Sequence, residues 1–186
     1  MQKINVIEYL PKIMTELEKG ILVNTKNGNK LNTMTIAWGQ IGIEWNKFVF
    51  TTYIRHTRFT HEQIEASKEF TVSIPMERTP QIAKAMGFCG YRNGKDIDKF
   101  KECNLTAVEG VEVNSPAIKE IPLTLECKVI YKQEQEHNNI PNELYEKFYK
   151  NVPSSDGTKT NDDYHTVYYG EIPICMRGPV SSTSRR

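Results

Sequence analysis

Leu123-Thr124-Leu125-Glu126-Cys127-Lys128-Val129-Ile130-Tyr131-Lys132 has the clearest period in the chain. Leu123, Leu125, Cys127, Val129 and Tyr131 fall on one side of an extended backbone; Thr124, Glu126, Lys128 and Lys132 fall on the other. A period of two with one apolar side predicts a long strand with one buried and one wet face, the habit of antiparallel sheets. Ile130 alone breaks the alternation.

Further strands flank it on both sides. Ile21-Leu22-Val23-Asn24-Thr25 reads as a buried strand, and Lys26-Asn27-Gly28-Asn29 carries the Asn-Gly chemistry of a tight hairpin turn. The return strand is Thr33-Met34-Thr35-Ile36-Ala37-Trp38-Gly39. Phe48 to Ile54, rich in aromatic and β-branched residues, is a third strand; Phe70 to Ile74, stopped by Pro75, is a fourth. His165-Thr166-Val167-Tyr168-Tyr169-Gly170-Glu171-Ile172 reads as the final strand.

Helices are short. Asn5 is placed to cap one that carries Leu10, Ile13, Met14 and Leu17, with Pro11 near its start and Gly20 at its end. Thr60-His61-Glu62-Gln63 matches a capping box before another. Thr79-Pro80 starts a third, with Gly87 as its expected end, and Asn142 to Tyr149 forms a fourth. Strands joined by hairpins, with short helices in the connections, predict a mainly β fold built as an antiparallel barrel.

The chain has 186 residues, enough for one domain with a real core. It carries 24 basic and 23 acidic residues, a formal charge of +1, which removes the usual electrostatic argument for nucleic-acid binding. No apolar window is long enough to span a bilayer, and Met1 to Glu8 lacks the apolar run of a signal peptide. Cys89, Cys103, Cys127 and Cys175 include no Cys-x-x-Cys pair, so reduced thiols in a cytoplasmic protein are expected, without a structural metal. Residues 1–176 form the expected domain; the polar stretch 177–186 is expected to be a disordered tail.

Several segments are able to carry chemistry. Arg55-His56-Thr57-Arg58-Phe59-Thr60 lies between a strand end and a helix start. Two guanidinium groups, two hydroxyls and a helix N-terminus describe a phosphate site, although a threonine cap with solvated arginines is the commoner outcome. Along Asn32 to Trp38, Thr33 and Thr35 point one way and Met34 and Ile36 the other, an arrangement that suits a flat amphipathic ring as well as an ordinary core. Gly87 to Phe100, with three glycines and a charged turn, reads as a ligand cradle or as a mobile surface loop. Cys89 has no neighbouring base to make it a nucleophile. His165, inside a strand, is more often a structural histidine than an acid–base catalyst. No His/Asp/Glu spacing suggests a metal, and no Gly-x-Gly-x-x-Gly follows a strand.

Read in order, these motifs resemble the flavin reductase-like FMN-binding family. The resemblance rests on Gly20 to Thr25, Asn32 to Gly39, Arg55-x-x-Arg58-Phe59-Thr60, Phe70 to Pro75, Phe88-Cys89-Gly90 to Lys99, and Tyr168-Tyr169-Gly170-Glu171. It implies a split β-barrel that dimerises, with FMN near the subunit interface. Thr33, Met34, Thr35, Ile36, Ala37 and Trp38 are then expected along the isoalloxazine and ribityl. Arg55, Thr57, Arg58 and Thr60 are expected around the phosphate, with Thr51 and Thr52 as further contacts. Cys89, Gly90 and His165 are expected at the flavin's edge. Tyr91-Arg92-Asn93 departs from the smaller residues usual before the second glycine.

The resemblance implies an FMN-binding redox protein: an NAD(P)H-dependent flavin reductase, or a flavoredoxin-like electron-transfer protein whose partner is another redox protein. NADH or NADPH is the expected reductant in the first case. No catalytic side chain is needed, because the flavin carries the chemistry. A non-catalytic flavin-binding module and a pyridoxine-phosphate oxidase-like enzyme are the alternatives.

Overall fold

The computed structural model describes residues 2–178. In chain order these form β1 (Gln2–Ile4), α1 (Leu10–Lys19), β2 (Ile21–Asn27), β3 (Lys30–Ile36), β4 (Gly39–Glu44), β5 (Lys47–Arg55) and α2 (Phe59–Ser67). There follow β6 (Glu69–Ile74), α3 (Pro80–Tyr91), α4 (Lys99–Glu102), β7 (Ala107–Val108), β8 (Ala117–Ile118), β9 (Leu123–Glu134), α5 (Asn142–Phe148) and β10 (His165–Arg177). Eight strands make one antiparallel sheet in the order β3-β2-β6-β9-β10-β5-β4, with β1 also paired to β10; β7 and β8 form a separate pair. The expected mainly β, antiparallel fold with short helices is therefore present.

The order explains how the sheet rolls up. Its two end strands, β3 and β4, are consecutive in the chain and joined only by Ala37 and Trp38. The ends of the sheet must therefore come together at that link, leaving a seam instead of a continuous ladder. β10 makes this curvature possible. It pairs with β9 along one edge, while its other edge serves β5 through His165–Glu171 and β1 through Cys175–Arg177.

Two slips in the β9–β10 register bend it. Tyr131 faces Tyr169 and Val129 faces Gly170, so Ile130 is the extra residue of a bulge, which is why it broke the alternation. A second slip, between Glu171 and Ile174, falls around Pro173, a residue with no N–H to lend to a ladder. Gly170, beside the first bulge, has no room for a side chain: an added Cβ would sit 2.6 Å from the Phe70 ring and 2.8 Å from Cys127 Cβ.

The core lies on both faces of β2. Ile21 and Val23 join Ile13, Leu17, Phe50, Phe70 and Leu125 in the main cluster, whereas Leu22 enters a second cluster with Ile82, Met86, Cys89 and Phe100 under α3. A strand buried on both sides reads as an unbroken apolar run, as Ile21-Leu22-Val23 does.

Several local expectations are corrected. Asn5 caps a 3-10 turn at Val6–Tyr9, its side chain accepting from the Ile7 N–H, and α1 starts only at Leu10 with Pro11 in its first turn. The hairpin bend is Gly28-Asn29, with Asn27 still paired to Lys30. The return strand ends at Ile36, so Ala37 and Trp38 lie outside it, and β4 follows unannounced. Thr60 does not cap α2; Arg58 occupies the N-cap position and no side chain closes it. α3 passes through Gly87 and runs to Tyr91, so Cys89 and Gly90 are helical. The expected wet face of β9 is wet only in part. Thr124 and Glu126 are fully buried, and the Glu126 carboxylate accepts N–H groups from Val111, Glu112 and Val113 at 2.6–3.1 Å. Those charge-assisted bonds offset the cost of taking a carboxylate out of water. Arg177, placed in the tail from sequence, is the last residue of β10, paired with Gln2. Gly178 follows it, its N–H donating to the Pro122 carbonyl at 2.8 Å, and the rest of the expected tail, 179–186, lies outside the described residues.

Candidate functional site

The seam between β3 and β4 opens into a cleft. It is lined by Met34, Thr35, Ile36, Ala37 and Trp38 on one side, and by Tyr53, Arg55, Arg58 and His165 on the other. β3 is an edge strand, so part of its backbone is left free of strand partners at this point. Strand parity sets the opposite wall: Tyr53 and Arg55 share one face of β5, while Thr52 and Ile54 point to the other and are fully buried.

Among the described residues no carboxylate lines this cleft, and two guanidinium groups do. Arg55 donates to the Asp163 carbonyl at 3.0 Å and to the Phe148 carbonyl at 2.9 Å, and lies over the Tyr149 ring at 5.2 Å. Arg58 donates through Nη1 to the Gly90 carbonyl at 2.8 Å. Burial, and then repulsion from Arg55, lower the Arg58 pKa, but a guanidinium stays charged under any physiological condition. Arg58 also stands at the uncapped start of α2, where backbone N–H groups and the helix dipole add positive potential.

His165 forms part of the same wall without adding charge. Burial, followed by the nearby Arg55, His56 and Arg58, pushes its imidazole down to about 3. Nδ1 lies 3.1 Å from both Tyr149 Oη and Gln135 Oε1. Since the glutamine oxygen only accepts, the neutral ring with its proton on Nδ1 fits this arrangement. The Trp38 ring packs 5.1 Å from His165 and 5.1 Å from Phe148, edge-on to the latter.

Of the residues expected at a site, the structure gathers Met34, Thr35, Ile36, Ala37, Trp38, Arg55, Arg58 and His165 around one cleft. The others do not line it. Thr33 turns inward and donates to Asn24 Oδ1 at 2.7 Å. Thr51 and Thr52 are buried in β5, and the Thr52 hydroxyl has no partner among the described residues. Thr57 donates its hydroxyl to Asp163 at 2.6 Å and its N–H to the same carboxylate at 3.2 Å. Thr60 accepts from Asn32 Nδ2 at 2.8 Å. Cys89 is buried in the second core cluster, and Gly90 acts through its carbonyl on Arg58.

Sequence reasoning missed Tyr53, Asp163, Tyr149 and Lys99. Tyr53 was recoverable by parity, since it lies two residues before Arg55 on the same strand. Asp163, fully buried, comes from a polar loop in which nothing marks one acid over another. Lys99, with its Nζ 2.9 Å from the Thr33 carbonyl and 3.2 Å from the Cys89 carbonyl, sits in a charged stretch that reads as surface.

The rolled antiparallel sheet, open along a seam lined by cationic and aromatic side chains, is that of the split-barrel flavoproteins' fold class. Comparison with known proteins makes this specific: the model of the flavin reductase like domain matches residues 14–172, and the chain belongs to that family. An uncharacterized protein of Archaeoglobus fulgidus is 31% identical over 132 residues, 70% of this chain and 68% of that protein. Flavoredoxin of Desulfovibrio vulgaris (Miyazaki F) superposes with a TM-score of 0.63 at 24% identity, covering 86% of this chain and 69% of that one. An FMN-binding domain of a flavin reductases-like enzyme from Shewanella baltica gives a TM-score of 0.62 at 16% identity, covering 95% and 76%. At those identities the structural matches establish the fold. Among the described residues, no helix is long and apolar enough to cross a membrane.

Proposed function

We propose that this chain binds FMN in the seam cleft and serves as a flavin-dependent redox protein, an NAD(P)H:flavin reductase or a flavoredoxin-like electron carrier. One observation carries the reading. Arg55, Arg58 and the uncapped start of α2 stand at the cationic side of a cleft whose other wall is the extended segment Met34–Trp38. A phosphate matches the first, and a flat ring with a polar edge matches the second. Bound there, the flavin ring would supply hydride or single-electron transfer.

The protein's part is to hold and orient. Arg55 and Arg58 neutralise phosphate charge, and their own carbonyl partners fix both side chains before any ligand arrives. Met34 and Ile36, nearly buried, offer an apolar surface, while the free edge of β3 offers backbone groups. His165, kept neutral, puts no proton and no charge into the cleft at physiological pH. Trp38, 39% exposed, shields the rim from water.

A homodimer in a cytoplasmic setting belongs to the same reading. Ile43 and Trp45 on and beside β4 are 71% and 60% exposed, and Trp45 meets Tyr131, which in turn stacks near Tyr169 at 5.1 Å. An exposed aromatic patch of this kind supports self-association.

The test is the visible spectrum of purified protein supplied with FMN, followed by anaerobic addition of NADH and then NADPH. Flavin bands that bleach with a nucleotide establish the reductase; bands that persist favour the carrier. A protein that retains no FMN overturns the reading.

A further inference from the structure

The C-terminal half of α3 is tied down by side chains from three other segments. The Met86 carbonyl accepts the Thr35 hydroxyl at 2.6 Å, the Cys89 carbonyl accepts Lys99 Nζ at 3.2 Å, and the Gly90 carbonyl accepts Arg58 Nη1 at 2.8 Å. The Cys89 and Gly90 carbonyls belong to the last turn, where carbonyls lack partners within the helix and cations are favoured by the dipole. This turn therefore sets where Arg58 stands. Its other feature is a sulfur: Cys89 Sγ lies 3.9 Å from Cys103 Sγ, which follows α4.

We propose that Cys89 and Cys103 are a redox modification site, a thiol pair that a hydroperoxide converts to a disulfide, and that this bond changes the hold of Arg58 on an anion in the seam cleft. The bond itself stands on the thiol geometry alone; its effect on the cleft rests on the proposed FMN site.

The two sulfurs differ in access. Cys103 is partly exposed and Cys89 is fully buried, so the hydroperoxide meets Cys103 first. Burial raises both thiols, Cys89 to about 12, while the nearby Lys99 ammonium acts in the opposite direction. Oxidation is therefore slow at neutral pH and faster as thiolate increases. In the first step the Cys103 thiolate attacks the peroxide: a sulfur–oxygen bond forms, the oxygen–oxygen bond breaks, and hydroxide leaves. Cys89 sulfur then attacks the sulfenic sulfur. The disulfide forms, the sulfur–oxygen bond breaks, and the Cys89 proton departs with the oxygen as water. Two thiols lose two electrons and two protons, and hydrogen peroxide is reduced to two waters. Cys127 and Cys175, the remaining thiols, are both buried in the main core cluster.

A disulfide needs its sulfurs about 2 Å apart, so the pair must close by nearly another 2 Å. That movement falls on the last turn of α3 or on the four-residue α4. The peptide of Gly90 adjoins Cys89, and Lys99 belongs to α4. Either movement disturbs carbonyls that Arg58 and Lys99 now hold.

The experiment treats the native, full-length protein with hydrogen peroxide and counts thiols after denaturation. The expected result is two free thiols where the reduced protein has four, a peptide linking Cys89 to Cys103, and full reversal by dithiothreitol. FMN dissociation constants of the two forms, read by flavin fluorescence, should differ by at least about fivefold, the low end of ordinary coupling between sites. Cys103→Ser should bind FMN as the reduced wild type does and lose the response; Cys103→Ala serves if the serine variant does not fold. Four remaining thiols, or oxidation of Cys103 to sulfinic acid without a bridge, overturns the modification site. A bridge with unchanged FMN affinity overturns the coupling. A reduced protein that never takes FMN fails the functional proposal instead, and leaves the thiol count to decide the bridge.

Discussion

Arg58 Nη1 donates to the carbonyl of Gly90 at 2.8 Å, joining the start of α2 to the end of α3 across 32 positions of sequence. The positive end of one helix and the negative end of another thus share a single guanidinium. Among the described residues its other donors have no recorded partner, and they face the seam cleft that Arg58 lines.

Arg58→Ala should weaken FMN binding by about 1–3 kcal/mol, the usual worth of a charge-assisted hydrogen bond. Arg58→Lys keeps the charge but loses the planar fork, and should fall between the two. Fluorescence titration measures both. Wild-type affinity in a folded Arg58→Ala protein would remove Arg58 from the phosphate site.

Trp38 reports on occupancy of the seam. In a Trp45→Phe background it is the sole tryptophan, and its ring stands 5.1 Å from His165 at the cleft wall. Added FMN should quench its emission with the same midpoint as flavin fluorescence. Emission that ignores bound FMN would place the ligand elsewhere.

Acid should destabilise the fold early, through histidine. His165 is depressed from an ordinary 6.5 to about 3, so between those values the unfolded chain binds a proton that the folded chain refuses. Its contribution is intact above 6.5 and shrinks as pH falls toward 3, by up to about 1.4 kcal/mol per pH unit. His61, also lowered by burial, adds the same sign. Glu65, held at about 2 despite its burial by bonds from Lys68, Lys132 and Tyr168, adds acid sensitivity only below its ordinary 4.5. Urea midpoints should therefore drop between pH 7 and pH 5, and drop less in His165→Gln. Equal slopes in the two proteins would contradict the buried, neutral imidazole.

Gly170→Ala should cost about 1–3 kcal/mol, as overpacking does, because the new methyl meets the Phe70 ring. Phe70→Leu added to it should recover part of the loss. Chemical denaturation of the single and double variants checks this; a neutral Gly170→Ala would mean that the β9–β10 bulge yields freely.

Much of this was legible in the sequence, for physical reasons that differ by element. β9 announced itself by period two, and its one irregularity, Ile130, marked a real bulge. The cleft residues of β3 and the Arg55–Arg58 pair were readable because short-range chemistry places them: an extended run, then two cations at a strand-to-helix corner. β4 gave no such signal. Gly39 and Gly42 weaken any strand pattern, and none of its six residues is buried, as suits an edge. Thr60 satisfied the capping-box pattern, yet its hydroxyl went to Asn32, since tertiary packing outbid a local cap. Gly87 did not end α3: it does not adopt the left-handed backbone of a helix-ending glycine, and the helix runs on to bury Cys89. Glu126 and Lys99 looked solvated because their compensating partners are backbone groups, which carry no residue-type signature.

The position of β10 in the chain also bears on how the molecule is made. Every strand it joins, β1, β5 and β9, leaves the ribosome before it does. At ordinary translation speed β1 and β5 wait on the order of ten seconds for their mate, and β9 only a few seconds. Until then β3-β2-β6-β9 and β5-β4 stand as separate pieces with sticky borders, β1 is unpaired, and the roll closes only when β10 arrives. The nascent chain is thus most open to wrong pairing while β10 is still unmade.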